Sequence, residues 1–201
     1  MIEIVIATRN RHKVRELKPL LAVRGVRWLS LDDVDPVPPI HEDGRTFDAN
    51  AIKKARAVAK ATGRLALADD SGIEVDALGG APGVRSARFA GAHGDGAANN
   101  ARLLRLLHGV PAHRRGAQYR CSLALASPTR LLTVTCGTWR GRIAREPQGR
   151  RGFGYDPVFF VPRFGKTVGQ LAAPIKQEFS HRAVAATRMK QMLRRLVSET
   201  G

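Results

Sequence analysis

The chain opens on Ile2-Glu3-Ile4-Val5-Ile6-Ala7, a β-branched run whose length and composition predict a buried strand. Asn10, in Thr8-Arg9-Asn10, is placed to cap a helix starting near Arg11, with Val14, Leu17 and Leu21 as its apolar stripe. Pro19 is expected to kink or shorten that helix. Val26 to Leu31 reads as a second strand, and Asp35-Pro-Val-Pro-Pro-Ile40 as a stiff extended linker. Thr46 to Thr62 predicts a helix with Ile52, Ala55 and Ala59 on one face and Gly63 as its stop. Leu65 to Ala68 is then a short strand ending at Asp69-Asp70-Ser71-Gly72, and Ile73 to Leu78 continues extended.

Further along, Gly79-Gly80-Ala81-Pro82-Gly83 is a turn cluster, and Ala97 to Leu107 predicts a helix. Gln118 to Ala126 and Leu131 to Trp139 form a hairpin across Ser127-Pro-Thr-Arg130. If its pairing is symmetric about positions 128 and 129, Cys121 faces Cys136, two buried thiols on one sheet face. Gly149 to Pro157 is a glycine-punctuated loop leading into Val158-Phe-Phe-Val161. A final helix from His181 to Val197 gathers Met189, Met192, Leu193 and Leu196 on one face. Strands and helices alternate early and strands cluster late, so the class is α/β with a mixed sheet.

Composition narrows this picture. At 201 residues, 43% hydrophobic and 25% charged, the chain is an ordinary globular sequence, long enough to bury a core without staples. Two cysteines make no disulfide framework, and there is no CxxC metal pair. The N-terminus reads as a strand rather than a secretory leader, and no apolar stretch approaches the ~20 residues that span a bilayer. A cytoplasmic protein without membrane contact is expected. Lys and Arg total 34 against 17 Asp and Glu, a net charge of +17. That balance invites a nucleic-acid partner. Against it, 26 of the 34 cations are Arg, they are spread along the whole chain, and only 5% of residues are aromatic, leaving few stacking platforms.

Three polar segments look suited to chemistry. In Thr8-Arg9-Asn10-Arg11-His12-Lys13, a strand meets a helix start whose amides favour an anion, yet four cations (Arg9, Arg11, Lys13, Arg15) oppose the helix dipole. A bound polyphosphate would remove the conflict; the plain alternative is a solvated basic turn. In Asp69-Asp70-Ser71-Gly72, adjacent carboxylates at a strand end repel each other unless a cation compensates. A hard divalent ion would do so and would bridge to phosphate oxygens; a turn with locally bonded Asp side chains is the alternative. Glu42, in Glu-Asp-Gly44, is a third acid. In Gly152-Phe153-Gly154-Tyr155-Asp156-Pro157, an aromatic ring between glycines lets a flat ligand approach backbone. Asp156 can accept from a ring N–H there, and His181 and Arg182 downstream can donate to a ring carbonyl. Core packing and helix capping are the plain alternatives for these.

In order, the chain carries TxNxxKxxE (Thr8 to Glu16), EDGRTF (Glu42 to Phe47), NAIKKA (Asn50 to Ala55) and DDSGIEVDALGGAPGVRSARFAG (Asp69 to Gly91). GFGYDPVFF (Gly152 to Phe160), Lys176 and SHR (Ser180 to Arg182) follow. From about residue 2 to 195 this closely resembles the inosine triphosphate pyrophosphatase family, hydrolases of non-standard purine nucleoside triphosphates. The same blocks separate it from Maf-type pyrophosphatases that act on modified pyrimidine nucleotides.

The resemblance implies a single domain over residues 1–201, an elongated mixed sheet flanked by helices, two lobes with an active-site cleft between them, and a homodimer. It implies Mg2+-dependent attack of water on the α-phosphorus of ITP, dITP or XTP, releasing monophosphate and pyrophosphate. Asp70 matches the catalytic acceptor, which also holds the metal, with Glu42 as the second metal carboxylate. The loop from Thr8 through Arg9, Asn10, Arg11 and His12 to Lys13, together with Lys54, matches the triphosphate contacts. Asp69 would support the site and Ser71 would touch substrate. Phe153, Gly154, Tyr155, Asp156, Lys176, His181 and Arg182 match the base pocket. A donor such as Arg182 or Lys176 suits the 6-oxo group of hypoxanthine and clashes with the amine of adenine. The chain departs from the family pattern at His12, at Ala49, at Ala172-Ala-Pro-Ile175 and at Ala183, and none of these departures removes a residue assigned to chemistry.

Overall fold

The computed structural model describes residues 1–91 and 94–200. Among them the main elements run β1 (Ile2–Ile6), α1 (Arg11–Leu20), β2 (Val26–Leu29), α2 (Phe47–Thr62), β3 (Leu65–Val75) and α3 (Gly96–Leu106). β4 (Gly116–Ala126), β5 (Leu131–Ile143), β6 (Phe159–Val161), β7 (Lys166–Thr167), α4 (Ala173–Phe179) and α5 (His181–Thr200) follow. The strands hydrogen-bond in the order β2-β1-β3-β4-β5-β6-β7. β1 runs parallel to β2 and β3, whereas β6 is antiparallel to β5 and β7, so the sheet is mixed as the element pattern predicts. No helix among the described residues is long and apolar enough to cross a membrane.

The chain divides into two compact units, each assembled from separated stretches. The first comprises Met1–Asp70, Cys121–Gly137 and His181–Gly201. Alternate residues of its strands feed two cores. Ile4, Ile6, Leu67, Cys121, Leu123 and Leu125 pack with Leu17 and Leu21 of α1 and with Ala185, Met189 and Leu193 of α5. Val5, Ala66, Ala68, Ala124 and Ala126 pack with Ala51, Ala55, Val58 and Ala59 of α2. Alanine on both sides of this second core brings α2 close to the sheet, and Lys54 therefore reaches β3. Gly137 is required where β5 passes under α5: a Cβ there would stand 2.6 Å from the Ala185 nitrogen.

The second unit comprises Ser71–Arg120 and Thr138–Ser180. Its core gathers Ile73, Val75, Leu103, Leu107, Tyr119, Trp139, Tyr155, Val158 and Phe159. The Tyr119 and Phe159 ring centroids lie 4.4 Å apart. Arg115, nearly fully buried, serves this unit as a brace, donating to the carbonyls of Leu107, Ile143 and Ala144.

Several expectations needed correction. Asp69-Asp70-Ser71-Gly72 is no turn; it lies inside one eleven-residue strand, β3. Pro19 stands in the last turn of α1, which ends one residue later, in line with the expected shortening. β5 runs on to Ile143, and Ala173–Phe179 form the unforeseen helix α4. The two thiols do not face each other. Leu125 and Leu132 share one core, and Ala126 and Leu131 the other, as the symmetric hairpin requires. Beyond them the parity changes: Val134 joins Ala124, and Cys136 Sγ lies 3.6 Å from Ser122 Oγ. β5 therefore holds one extra residue between Leu132 and Val134, the signature of a bulge, and Cys136 lands on the α2 face while Cys121 faces α1 and α5.

Candidate active site

Strand alternation resolves the adjacent carboxylates of β3. Asp69 points toward α1 and α5 and has no exposed surface. Its Oδ1 accepts from Lys13 Nζ at 2.5 Å and its Oδ2 from Arg182 Nε at 2.9 Å, with the Cys121 thiol donating to Oδ2 at 3.2 Å. Burial alone would raise the Asp69 pKa, yet the Arg182 and Lys13 charges hold it well below the usual carboxylate range. The same acid and burial push the Cys121 thiol well up. Arg182, 1% exposed, also donates to Glu16 at 2.5 Å.

Asp70 points the other way, toward α2. Lys54, 8% exposed, donates from one Nζ to Asp70 Oδ1 at 3.1 Å, to Glu42 Oε2 at 3.0 Å and to the Asp69 carbonyl at 2.9 Å. Asn50, one helical turn before Lys54, donates to Asp70 Oδ2 at 3.2 Å and anchors Gly44 through its own Oδ1 at 2.8 Å. Asp70 is pushed up to about 6, chiefly by burial and further by Glu42, against the opposing charges of Lys54 and Lys13. For Glu42 burial acts in the same direction, but Lys54 prevails and the pKa is lowered. Lys54 itself is raised: burial works against its charge, and Asp70 and Glu42 more than compensate.

The loop before α1 is built as a cap. Asn10 Oδ1 accepts from the amides of His12 at 3.0 Å and Lys13 at 3.3 Å, and Thr8 Oγ1 from the Asn10 amide at 3.2 Å. Arg9 donates to the Val37 carbonyl, and Arg11 and His12 are exposed. No acid stands in the first turn of α1, where Asn10 rather than a carboxylate caps the amides of His12 and Lys13.

The second unit holds the other expected cluster. Gly152 adopts φ +76°, and its lack of a Cβ lets the Asp156 carboxylate pack against it. Asp156, 1% exposed, accepts at Oδ2 from Lys176 Nζ at 2.5 Å and from the Phe153 amide at 2.9 Å. Its Oδ1 accepts from the Tyr119 hydroxyl at 3.0 Å. Lys176, on α4, stands 4.6 Å over the Phe153 ring. Tyr155 faces the core and donates to the Ser86 carbonyl at 2.9 Å, while Asn100 of α3 donates to the Gly154 carbonyl at 3.0 Å. Ser71 lies half-buried on β3.

The structure thus brings Glu42, Lys54 and Asp70 together, and Lys13 with Asp69, in the first unit; Phe153, Asp156 and Lys176 come together in the second. Arg182 donates through its Nε to Asp69 and through a terminal nitrogen to Glu16, both carboxylates of the first unit. His181, beside it, is buried at the start of α5. The sequence reading left out Asn50 and Glu16. Each lies at helical spacing from a lysine it did select, Asn50 four before Lys54 and Glu16 three after Lys13, and that spacing was the available signal.

A mixed α/β sheet whose third strand presents Asp70, joined through Lys54 to Glu42 of the loop before α2, belongs to a protein suited to phosphate chemistry. The chain belongs to the Ham1 family, whose model matches residues 4–192. A dITP/XTP pyrophosphatase of Desulforamulus reducens is 49% identical over 195 residues, covering 97% of each chain. One of Geobacillus kaustophilus is 49% identical over 100% of this chain and 98% of its own. A solved HAM1 protein from Coxiella burnetii matches with TM-score 0.89 at 40% identity, covering 97% of this chain and 100% of that one.

Proposed function

We propose that this chain is a nucleoside triphosphate pyrophosphatase that hydrolyses ITP, dITP and XTP to the monophosphate and pyrophosphate with Mg2+. Membership of the Ham1 family and the names of its relatives support the substrate class. The observation that carries the chemistry is the Asp70–Lys54–Glu42 cluster. A carboxylate raised to about 6 takes a proton more readily than an ordinary one, yet is still ionised at neutral pH. Asp70 accepts the proton of the attacking water as its oxygen bonds to the α-phosphorus. The bond from that phosphorus to the bridging oxygen breaks, and pyrophosphate leaves with the bridging electrons.

Glu42 and Asp70 also fit a hard divalent ion, because their oxygens already converge on one ammonium group. Among the described residues no set of three His, Cys, Asp or Glu side chains is arranged for a metal, so two carboxylates would share the ion with water and phosphate oxygens. When bound, Mg2+ would offset the negative charge that builds on the triphosphate. Thr8, Arg9, Asn10, Arg11, His12, Lys13, Lys54 and Ser71 are the proposed phosphate-side residues, with Asp69 holding Lys13 in place. Phe153, Gly154, Tyr155, Asp156, Lys176 and His181 are proposed for the base. Arg182 and Lys176, each oriented by a buried carboxylate (Asp69 and Asp156), are the donors proposed for a 6-oxo group, which an adenine amine would meet as a second donor.

A homodimer acting in the cytoplasm completes the proposal; light scattering of the purified chain tests the oligomer. The function is tested by a panel of triphosphates with released pyrophosphate as the readout. ITP, dITP and XTP are expected to turn over about 100-fold or more faster than ATP, the order of discrimination one mispaired polar group allows. Preference for modified pyrimidine triphosphates would contradict the reading.

A further inference from the structure

Gly72 and Ser86 fit each other closely. A Cβ on Gly72 would lie 2.8 Å from the Gly83 carbonyl oxygen and against Ser86 Oγ, so only glycine lets the segment Gly83–Arg88 approach β3 this closely. Ser86, 6% exposed, uses that approach. Its Oγ accepts from the Ile73 amide at 2.9 Å and donates to the Gly83 carbonyl at 2.6 Å. Its own carbonyl accepts from the Tyr155 hydroxyl at 2.9 Å. Burial raises the pKa of that hydroxyl, which keeps it a donor throughout the working range. One residue therefore holds the strand that carries Asp70 with its side chain and the Gly152–Pro157 loop with its backbone.

Asn99 of α3 accepts from the Ala90 amide at 2.6 Å, Arg102 donates to the Phe89 carbonyl at 2.6 Å, and Asn100 holds the Gly154 carbonyl. α3 therefore holds the Gly152–Pro157 loop and the residues just after Gly83–Arg88 through contacts of its own. The hydroxyl of Ser86 adds one further thing, a direct link from the loop to the peptide that follows Gly72.

We propose that Ser86 is a positioning residue that transmits seating of the base-reading loop, through Tyr155, to the catalytic strand β3, so that the identity of the base sets turnover as well as affinity. The inference rests on the proposed function. A correctly seated base fixes Tyr155, Tyr155 fixes the Ser86 carbonyl, and the Ser86 hydroxyl fixes Ile73 and the Asp70-Ser71-Gly72 backbone before it. A base that seats poorly leaves that backbone free to shift, and the reaction slows after binding.

The test measures kcat and KM for dITP and dATP, with thermal midpoints, in the wild type, Ser86→Ala, Tyr155→Phe, the double variant and Ser86→Thr. Each single variant is expected to lower kcat for dITP about tenfold, the usual size of one buried hydrogen bond, with KM changed less than about twofold. The dITP/dATP ratio of kcat/KM is expected to fall with it. The double variant should match either single one, because both break the same chain, and Ser86→Thr, which keeps the hydroxyl, should recover kcat. Equal losses on both substrates, an unchanged kcat, or single effects that multiply in the double variant would overturn the inference while leaving the activity intact. A wild type that releases no pyrophosphate from dITP would overturn the functional reading and this inference together.

Discussion

Asp69 and Asp70 are neighbours in sequence, yet opposite faces of β3 give them opposite proton affinities. Asp69 meets two cations in a dry site and stays ionised; Asp70 shares one lysine with Glu42 and is raised to about 6. Asp69 tolerates full burial only because Arg182 and Lys13 compensate it. Arg182→Ala leaves the buried Asp69 with Lys13 alone and is expected to cost about 3–5 kcal/mol in chemical denaturation at pH 7, the usual penalty for breaking a buried pair. The sign with pH follows from the lowered pKa. The stabilisation from Asp69 is present above its unfolded value, about 4, and is lost as pH falls through the lower folded value. In Arg182→Ala the folded pKa lies higher, so acid unfolding should begin at a higher pH than in the wild type. A variant within about 1 kcal/mol of the wild type would show that the pair does not carry Asp69. Asp70, Glu42 and Lys54, proposed to carry the chemistry, were selected through the family motifs. The partner of Asp69 was not, since Arg182 is 113 positions away and no local spacing connects them.

At the level of elements, periodicity identified the first strand, the cap at Asn10 and the helices α1, α2, α3 and α5, because each writes an apolar face into the sequence. It failed where compensation is non-local. Asp-Asp-Ser-Gly has the composition of a turn, and only Lys13, Lys54 and Arg182, brought in from three helices, let the strand continue through it. It failed again at β5, where a single inserted residue reverses which side chains face which core and leaves no mark in composition. Two cysteines on opposite faces have a direct consequence. Cys121 is buried and its thiol pKa is pushed up by burial and by Asp69, whereas Cys136 is half-buried. Alkylation of the native protein followed by mass spectrometry should modify Cys136 and spare Cys121, with both reacting in denaturant. A Cys121–Cys136 disulfide would contradict the bulged register.

Across the whole molecule, the +17 charge first suggested a nucleic-acid partner, and among the described residues part of it is taken up in local ion pairs and ring contacts such as Arg27–Glu3, Arg140–Asp76 and Arg163–Phe179. Lys13, Lys54 and Lys176 belong to the two clusters, Arg182 and Arg115 are internal braces, and most of the rest is distributed over both units. Such a field still attracts a small polyanion. kcat/KM for dITP is expected to fall as ionic strength rises, with kcat unchanged; a flat salt profile would leave the excess charge without a part in substrate capture. The central claim is that Asp70, placed by β3 and bridged to Glu42 by Lys54, activates water for attack on a purine triphosphate. Pyrophosphate release from dITP in the presence of Mg2+, compared between the wild type and Asp70→Asn, tests it most directly. The account expects release by the wild type and a loss of at least about 1,000-fold in the variant, since both the proton acceptor and a metal carboxylate are removed. An Asp70→Asn protein that still releases pyrophosphate at close to the wild-type rate would contradict it.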